Sequence, residues 1–310
     1  MIRIASIGEC MIELRHRSAT LLDLAYGGDT LNTAVYLARL THGRDVPVDY
    51  VTALGDDAYS NGMLEAWRSE SVGTDLVARL PGRLPGLYTI RTDERGERSF
   101  TYWRSAAAAR EMLRGERAGE LAAALEGYDL LYLSGITLSI LDEPQRAAIM
   151  ALADRVRADR GRVAFDSNYR PVGWPGPAAA RAAFDEMLKR VDVALPTLDD
   201  EQALFGVESA LACADRLHRR GVAEVAIKLG EAGCFLSSAE FTGEIAAAPA
   251  EKVVDSTAAG DSFNAGYLAA RLLGADPPGA GRLGNRLAAR VIGHPGAIIP
   301  SDAMADIRAG

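Results

Sequence analysis

Short apolar runs alternate with amphipathic helical stretches over most of the chain. The runs that predict strands lie at 2–7, 48–54, 130–133, 162–165, 191–195 and 223–227. The stretches that predict helices begin after Asp29 and lie at 59–70, 142–159, 177–190 and 208–219. Strand–helix alternation is typical of βαβ crossovers. The pattern therefore predicts an α/β fold with a mostly parallel central sheet flanked by helices.

Two β-rich runs near residue 90 depart from this alternation. The runs at 87–92 and 98–103 are joined by Asp93-Glu94-Arg95-Gly96, a hairpin signal with glycine late in the loop. With the stretch 9–13, they are candidates for a lid outside the main sheet. No linker, repeat or low-complexity segment divides the remainder, so we expect one domain over residues 1–310.

Composition narrows the class of protein. The 310 residues are 48% hydrophobic, which suffices for a substantial core. The net charge of −8 argues against nucleic acid as a partner, because binding to phosphate backbones needs clustered Lys and Arg. No apolar run has the length of a membrane span, and the first residues enter a strand pattern directly, so we expect no membrane partner and a cytoplasmic location. The three cysteines are scattered without metal-ligand spacing, which fits a reduced compartment.

Polar segments follow directly after four of the predicted strands. They are Ser134-Gly135, Asp166-Ser167-Asn168, Pro196-Thr197 and Lys228-Leu229-Gly230. In an open α/β sheet, ligands bind at the carboxyl ends of the strands. We therefore expect these segments to line one edge of the sheet and to form the site.

The strongest local signal is the stretch 255–267. The small residues Ala258, Ala259 and Gly260 permit a tight turn, and Asp261 then opens an apolar run with helical spacing. Such a turn directs several amide N–H groups at one point, which makes an anion site. Asp261 beside that site suits removal of a proton from an attacking hydroxyl, and the combination describes phosphoryl transfer to an alcohol. The alternative is an aspartate that only caps a core helix.

This stretch resembles the second signature of the ribokinase-like (PfkB) carbohydrate kinases. Gly27-Gly28-Asp29-Thr30-Leu31-Asn32-Thr33-Ala34 resembles the first signature, in the family's order along the chain. The segments L-P-G-L-Y (84–88), Y-W-R-S (102–105) and F-D-S-N-Y-R-P (165–171) resemble the 2-keto-3-deoxygluconate kinases of that family. The resemblance covers nearly the whole chain. It implies a ribokinase-like fold with a small β-sheet lid, formed from about 9–27 and 86–104, which covers the sugar and contacts a second subunit in a homodimer.

The resemblance implies ATP as the phosphoryl donor. Asp261 takes the role of general base, and the amides of Ala258, Ala259 and Gly260 hold the transferring phosphoryl group. The residues implied for nucleotide binding are Asn168, Arg170, Lys228, Gly230, Gly233, Ala258, Gly260 and Asn285. For Lys228 the alternative is a solvated lysine at a strand end, and for Asn285 it is an exposed helical asparagine.

Kinase chemistry also implies Mg²⁺, held mainly through nucleotide phosphates and waters. Relatives often carry an N-x-x-E motif after a strand, which organises this metal indirectly. Here the matching segment is Thr197-Leu198-Asp199-Asp200, so threonine replaces asparagine and aspartate replaces glutamate. The protein ligands of the metal therefore stay unassigned, although Asp200 can still order waters around it.

Arginine discriminates between classes of acceptor. A sugar acid needs a counter-charge that a neutral sugar does not, and a planar guanidinium suits a carboxylate. Arg104 and Arg170 lie in motifs where the resemblance implies arginines that contact the acid, and the alternative for each is an ordinary surface salt bridge. The other residues implied for substrate binding are Gly27, Gly28, Asn32, Tyr88, Tyr102 and Asp261. We further expect Asp29 to cap the helix that follows it. The resemblance implies that Glu13 lies at a strand end, where many relatives hold a sugar-binding acid.

The residues and the resemblance together predict an ATP-dependent kinase for 2-dehydro-3-deoxy-D-gluconate. The alternatives are a kinase of the same fold for a neutral sugar such as fructose, and a non-catalytic sugar-binding regulator. A dehydrogenase is disfavoured because no G-x-G-x-x-G follows the first strand. Three points stay open at this stage: whether the preferred acid derives from gluconate or galactonate, which nucleotide is preferred, and the size of the homo-oligomer.

Overall fold

The computed structural model describes residues 1–92 and 98–309. Its strands are β1 (Ile4–Ile7), β2 (Met11–His16), β3 (Leu22–Gly27), β4 (Val48–Leu54), β5 (Val72–Gly73), β6 (Val77–Arg79), β7 (Gly86–Thr92), β8 (Arg98–Trp103), β9 (Leu130–Ser134), β10 (Arg162–Asp166), β11 (Val193–Ala194), β12 (Glu224–Lys228), β13 (Gly233–Ser237) and β14 (Thr242–Ala246). Its α-helices are α1 (Asp29–Leu40), α2 (Ala58–Ser69), α3 (Arg117–Ala124), α4 (Gly135–Ile140), α5 (Glu143–Ala158), α6 (Pro177–Leu188), α7 (Leu198–Phe205), α8 (Ala210–Arg219), α9 (Ala259–Leu272) and α10 (Pro277–Val291). Short 3-10 turns lie at Ala108–Glu111, Pro171–Gly173, Gly230–Ala232 and Ser301–Met304.

The large sheet has the order β14-β13-β12-β11-β10-β9-β1-β4-β5, and β6 pairs with β4. The strands from β12 to β5 in this order run parallel, and β13 and β14 add an antiparallel edge. Side chains alternate between the two faces: Leu130 and Tyr132 of β9 join one core layer, and Leu131 and Leu133 join the other. Helices α1, α2, α9 and α10 cover the first face, whereas α3, α5, α6 and α8 cover the second. The predicted α/β fold is confirmed.

The small sheet has the order β3-β2-β7-β8, and it stands apart from the large one. Strands β7 and β8 form the predicted antiparallel hairpin, with Tyr88 opposite Tyr102. The predicted turn at Asp93-Glu94-Arg95-Gly96 lies outside the described residues. Strand β3 lies in the stretch 9–27 that the resemblance assigns to the lid, but no sequence pattern predicted the strand itself, because half of its residues are exposed and follow no clear alternation.

Two expectations about local structure were wrong. The residue before α1 is Gly28, and Asp29 is already the first helical residue, with its Oδ1 accepting from the neighbouring Thr30 N–H and no side-chain hydrogen bond at the cap position. Glu13 lies in the middle of β2, opposite Ala25 and Tyr88, and not at the end of a strand. Both errors come from boundary placement, which a period in the sequence defines only to within a few residues.

Helices α9 and α10 pack closely, since a Cβ on Gly266 would lie 2.9 Å from the Cα of Gly284. Backbone contact at this crossing fixes the direction of α9 and hence the position of its first turn. In the ranges 1–92 and 98–309, no helix combines the length and the apolar character needed to cross a bilayer.

Candidate active site

The first turn of α9 leaves amide groups open to a ligand. Ala258 precedes the helix in the left-handed conformation, with φ of 60°, and its side chain offers no cap. The first α-helical bond runs from Ser262 N–H to Ala258 O, so the amides of Gly260 and Asp261 lie ahead of the hydrogen-bonded ladder. Amides at a helix N-terminus attract anions through their partial charges. The structure therefore has the predicted turn of small residues at the start of a helix.

The carboxylate of Asp261 points across to α1. Asn32 Nδ2 donates to its Oδ2 over 2.8 Å, and the carboxylate makes no cap for its own helix. The cap alternative is therefore wrong. Burial raises the pKa of Asp261 to about 7, the negative charges of Asp29 and Asp166 add to the rise, and Asn32 and Lys228 oppose it. A carboxylate with a pKa near neutrality suits general base catalysis.

Lys228 lies buried beneath the α9 turn, with only 7% of its surface exposed. Its ammonium group donates to Asp166 over 2.7 Å and to Asn264 Oδ1 over 3.0 Å. Asn264 Nδ2 also donates to Asp166, over 2.7 Å, which closes a three-membered network. A Cβ on Gly260 would lie 3.6 Å from the lysine Nζ. The solvated-lysine alternative is wrong, and the ammonium is instead a fixed positive charge below the anion turn.

Asn168 joins the strand-end region to α1. Its Nδ2 donates to Asp29 Oδ2 over 2.7 Å, and its backbone adopts a positive φ of 32°. Burial raises the pKa of Asp29, although hydrogen bonds from Ser134 and Asn168 oppose that rise. The strand-end segments of β9, β10 and β12 thus converge with α1 and α9 at one edge of the sheet, as predicted.

A cavity of about 680 Å³ lies between the loop after β14 and α10. Asn285 lines it and is 7% exposed, and its Nδ2 donates to the carbonyls of Ile245 and Ala246. The exposed-asparagine alternative is therefore wrong. Lys252 and Arg282 also line this cavity and were missed by the sequence argument. Arg286 and Arg290 are further basic residues along the same wall. They follow Arg282 by four and eight residues, and this spacing indicates that all three lie on one face of α10.

Gly230 and Gly233 shape the turn between β12 and β13. Both have positive φ, at 58° and 106°, where other residues are strained. A Cβ on Gly233 would collide with the backbone carbonyl of Ile245. Packing against β14 therefore requires glycine at position 233, next to the cavity that Asn285 lines, whereas Gly230 has open space around it and is favoured by its positive φ alone.

A second cavity, of about 1030 Å³, lies between the small sheet and the large sheet. Of the residues predicted to bind substrate, Gly28, Tyr102, Arg104 and Arg170 line it. The ring of Tyr102 is 46% exposed, and the Arg104 guanidinium carbon lies 6.0 Å from its centre. The two predicted arginines, which come from separate motifs, therefore line the same cavity.

Both arginines already have partners. Arg104 forms an ion pair with the buried Glu9, and burial raises the pKa of Glu9 although Arg104 and Arg110 oppose the rise. Arg170 donates to Asp200 over 3.3 Å and to the carbonyl of Tyr169. Asp200, which lies in the first turn of α7, is therefore paired with Arg170. Burial raises the pKa of Asp200.

Four predicted residues are not among those that line the cavity: Gly27, Asn32, Tyr88 and Asp261. The hydroxyl of Tyr88 donates to Glu13, and a Cβ on Gly27 would lie 2.6 Å from that hydroxyl. A Cβ on Gly28 would meet the backbone carbonyl of Glu9. The small size of both glycines is thus required by contacts within the protein.

Glu9 and Arg110 also line this cavity, and the sequence argument assigned neither. Arg110 follows the Y-W-R-S motif in an alanine-rich turn, where no local pattern marks it. Only the structure shows that the 3-10 turn Ala108–Glu111 and β8 line the same cavity, which brings the charge of Arg110 into it.

The chain is similar to known proteins over nearly its whole length. The family model described as pfkB family carbohydrate kinase matches residues 1–304. The 2-dehydro-3-deoxygluconokinase of Escherichia coli (strain K12) is 47% identical over 305 residues, which are 97% of this chain and 98% of that protein. A PfkB protein from Polaromonas sp. JS666 has a TM-score of 0.85 at 25% identity, covering 99% of this chain and 100% of that chain. A putative ribokinase II from E. coli in complex with ATP and Mg²⁺ has a TM-score of 0.82 at 21% identity, covering 96% of this chain and 94% of that chain, and shares the fold. The chain belongs to the pfkB family of carbohydrate kinases.

Proposed function

We propose that this protein transfers the γ-phosphoryl group of ATP to the terminal primary hydroxyl of 2-dehydro-3-deoxy-D-gluconate, giving the 6-phosphate. The observation that carries the proposal is the 47% identity to a 2-dehydro-3-deoxygluconokinase over nearly the whole of both chains. The arginines of the larger cavity support an anionic acceptor, because a planar guanidinium can donate paired hydrogen bonds to a carboxylate, which a neutral sugar lacks.

Asp261 acts as the general base in this proposal. It accepts the proton of the substrate hydroxyl as that oxygen forms a bond to the γ-phosphorus, and the bond from phosphorus to the β–γ bridging oxygen breaks to release ADP. Asn32 orients the carboxylate through its 2.8 Å hydrogen bond. The amides of Gly260 and Asp261 face the charge that develops on the phosphoryl oxygens, the contribution that is usually largest in such reactions, whereas the Ala259 N–H already donates to Ser256 O.

The smaller cavity takes the nucleotide. Asn285 and the basic residues of α10 line it, and Lys228 supplies a positive charge below the anion turn. We propose that Asn168, Arg170 and the Gly230–Gly233 turn complete the phosphate end of this site. A protein of the same fold in complex with ATP and Mg²⁺ supports the choice of cofactor.

Mg²⁺ would neutralise the β- and γ-phosphates of bound ATP. Within the described part of the chain, no group of three or more His, Cys, Asp or Glu side chains is placed to hold a metal ion. Asp200 and Asp166 are two of the carboxylates at this edge of the sheet, and each is already paired with a basic side chain. These donors fit a cation held through phosphates and waters, with Asp200 ordering the waters.

In this proposal, Arg104 and Arg170 bind the substrate carboxylate. The remaining substrate-binding residues are Tyr102 and Tyr88, on the same face of the small sheet, and Gly27, Gly28 and Asn32, at its base.

Replacing Arg104 with glutamine should raise KM for the keto acid by tens- to thousands-fold, since loss of one charged partner costs about 2–5 kcal/mol. KM for 3-deoxy-D-fructose, which carries a CH₂OH group in place of the carboxylate, should change little.

Arg104→Gln also leaves Glu9 buried without its counter-ion. The double variant Glu9→Gln/Arg104→Gln removes that charge and serves as the control for stability. If both acceptors lose turnover equally in the double variant, Arg104 does not recognise the carboxylate.

We further propose that residues 1–310 form one domain and that the small sheet, formed from about 9–27 and 86–104, is the lid over the sugar and a homodimer contact. Strand β3 is an edge strand, and edge strands present unpaired backbone groups. Leu21, Leu22 and Leu24, at and before this edge, are each more than a third exposed, at 57%, 37% and 48%. Exposed apolar residues on an edge strand are suited to a subunit interface.

The test is a coupled assay of ADP release with Mg-ATP and 2-dehydro-3-deoxy-D-gluconate, fructose or ribose as acceptor. Turnover of the keto acid, with phosphorus coupling to the C6 protons in the NMR spectrum of the product, supports the proposal. Preferred turnover of fructose or ribose would make the protein a neutral-sugar kinase, and no turnover with any acceptor would point to a regulator.

A further inference from the structure

Arg110 sits where the larger cavity meets a side cavity. It belongs to the 3-10 turn Ala108–Glu111 and lines both the 1030 Å³ cavity and a neighbouring one of about 210 Å³. Its backbone is held at both ends, because its N–H donates to Ala107 O and its carbonyl accepts from Gln145 Nε2 over 2.9 Å. The side chain therefore starts from a fixed point on the cavity wall.

The other arginines around these cavities are all paired. Arg104 contacts Glu9, Arg170 contacts Asp200, Arg83 contacts Glu111 and Arg114 contacts Asp142. The guanidinium of Arg110 makes no hydrogen bond and no ion pair with any residue in the ranges 1–92 and 98–309, although it is partly buried. A partly buried guanidinium without an anionic partner is set up to receive one from a ligand.

The Arg110 charge acts on the same region as Arg104. Burial raises the pKa of Glu9, and the positive charges of Arg104 and Arg110 both oppose that rise. A ligand carboxylate that approached Arg104 alone would compete with Glu9 for one guanidinium. With Arg110 present, two guanidinium groups face two carboxylates, and the charges balance.

We propose that Arg110 is a specificity-determining residue that binds the carboxylate of the sugar acid together with Arg104. This inference rests on the proposed function, which it deepens by naming a further group that contributes to the preference for an acid. A planar guanidinium can donate two parallel hydrogen bonds to one carboxylate, so the geometry selects carboxylate over a neutral CH₂OH group.

The experiment compares Arg110→Gln and Arg110→Lys with the wild type, using the keto acid and 3-deoxy-D-fructose as acceptors. We expect Arg110→Gln to lower kcat/KM for the acid at least tenfold, mainly through KM, and to change kcat/KM for the neutral acceptor less than threefold. Arg110→Lys should restore part of the loss, because it keeps the charge but not the planar fork. Arg114→Gln is the matched control, since Arg114 lines only the side cavity and is paired with Asp142, and it should behave like the wild type.

Calorimetric binding of the keto acid without nucleotide provides a second readout. The wild type should bind the acid at least tenfold more tightly than Arg110→Gln does. If the wild type turns over the acid and Arg110→Gln matches it in both kcat/KM and binding, the inference is overturned while the proposed function stands. If the wild type neither turns over nor binds the acid, both are overturned.

Discussion

Replacing Asp261 with asparagine should lower kcat by about 10²–10⁴-fold, the usual contribution of a general base. Asparagine keeps the shape of the side chain, and its Oδ1 still accepts the hydrogen bond from Asn32 Nδ2. It cannot take the proton of the attacking hydroxyl. The fall should therefore appear in kcat, measured by ADP release at saturating keto acid and ATP, with only a small change in either KM.

The pH dependence supplies a second measurement on the same residue. The pKa of Asp261 is about 7, so kcat of the wild type should rise with pH until about one pH unit above that value. The raised pKa also means that the folded protein binds a proton more tightly than the unfolded chain does. Between about pH 4 and pH 7 the unfolded chain has already lost this proton while the folded protein keeps it, so stability from this group falls as pH rises.

Asp261→Asn removes that penalty, so its Tm should exceed that of the wild type by a margin that grows from pH 5 to pH 8. A variant that lost activity together with Tm would indicate damage to the fold. A variant that kept wild-type kcat would show that Asp261 is not the base.

Replacing Lys228 with methionine should destabilise the protein by about 3–5 kcal/mol, which is the cost of leaving one member of a buried ion pair without its partner. Asp166 is 3% exposed and would keep only neutral donors, such as Asn264 Nδ2 at 2.7 Å. For a protein of this size the loss corresponds to a fall in Tm on the order of 10 °C. KM for ATP should also rise, because the positive charge below the Gly260 amide is lost.

Lys189→Met is the matched control for this prediction. Lys189 is 59% exposed and pairs with Glu186 within one helical turn, so its loss should cost less than 1 kcal/mol, as is usual for surface pairs. The double variant Lys228→Met/Asp166→Asn removes the stranded charge and should recover much of the Tm while KM for ATP stays high. Equal Tm values for Lys228→Met and Lys189→Met would contradict a buried, paired role for Lys228.

The sequence predicted most strands of the parallel sheet, the hairpin, several of the longer helices and the edge of the sheet where the site forms. Strand periodicity placed Asp166 and Lys228 after strands, and because those strands belong to one parallel sheet, the two side chains meet 2.7 Å apart. The turn of small residues before α9 was predicted because small side chains permit a tight turn, although the left-handed conformation of Ala258, with φ of 60°, is not one that alanine favours locally.

Side-chain pairing between distant segments was not predictable. Asn32 and Asp261 are 229 positions apart, and the Arg104–Glu9 pair spans 95 positions. Such contacts depend on how whole layers pack, and a sequence period describes only which face a residue occupies. For the same reason the inward orientation of Asn285 and the unpaired guanidinium of Arg110 emerged only from the structure.

The most direct test of a sugar-acid kinase is the ratio of kcat/KM for 2-dehydro-3-deoxy-D-gluconate to that for 3-deoxy-D-fructose in the wild type. The two acceptors differ only at the carboxylate. Recognition by paired arginines is worth about 2–5 kcal/mol, so the ratio should lie between tens and thousands. A ratio near one, or a preference for the neutral acceptor, would contradict the account.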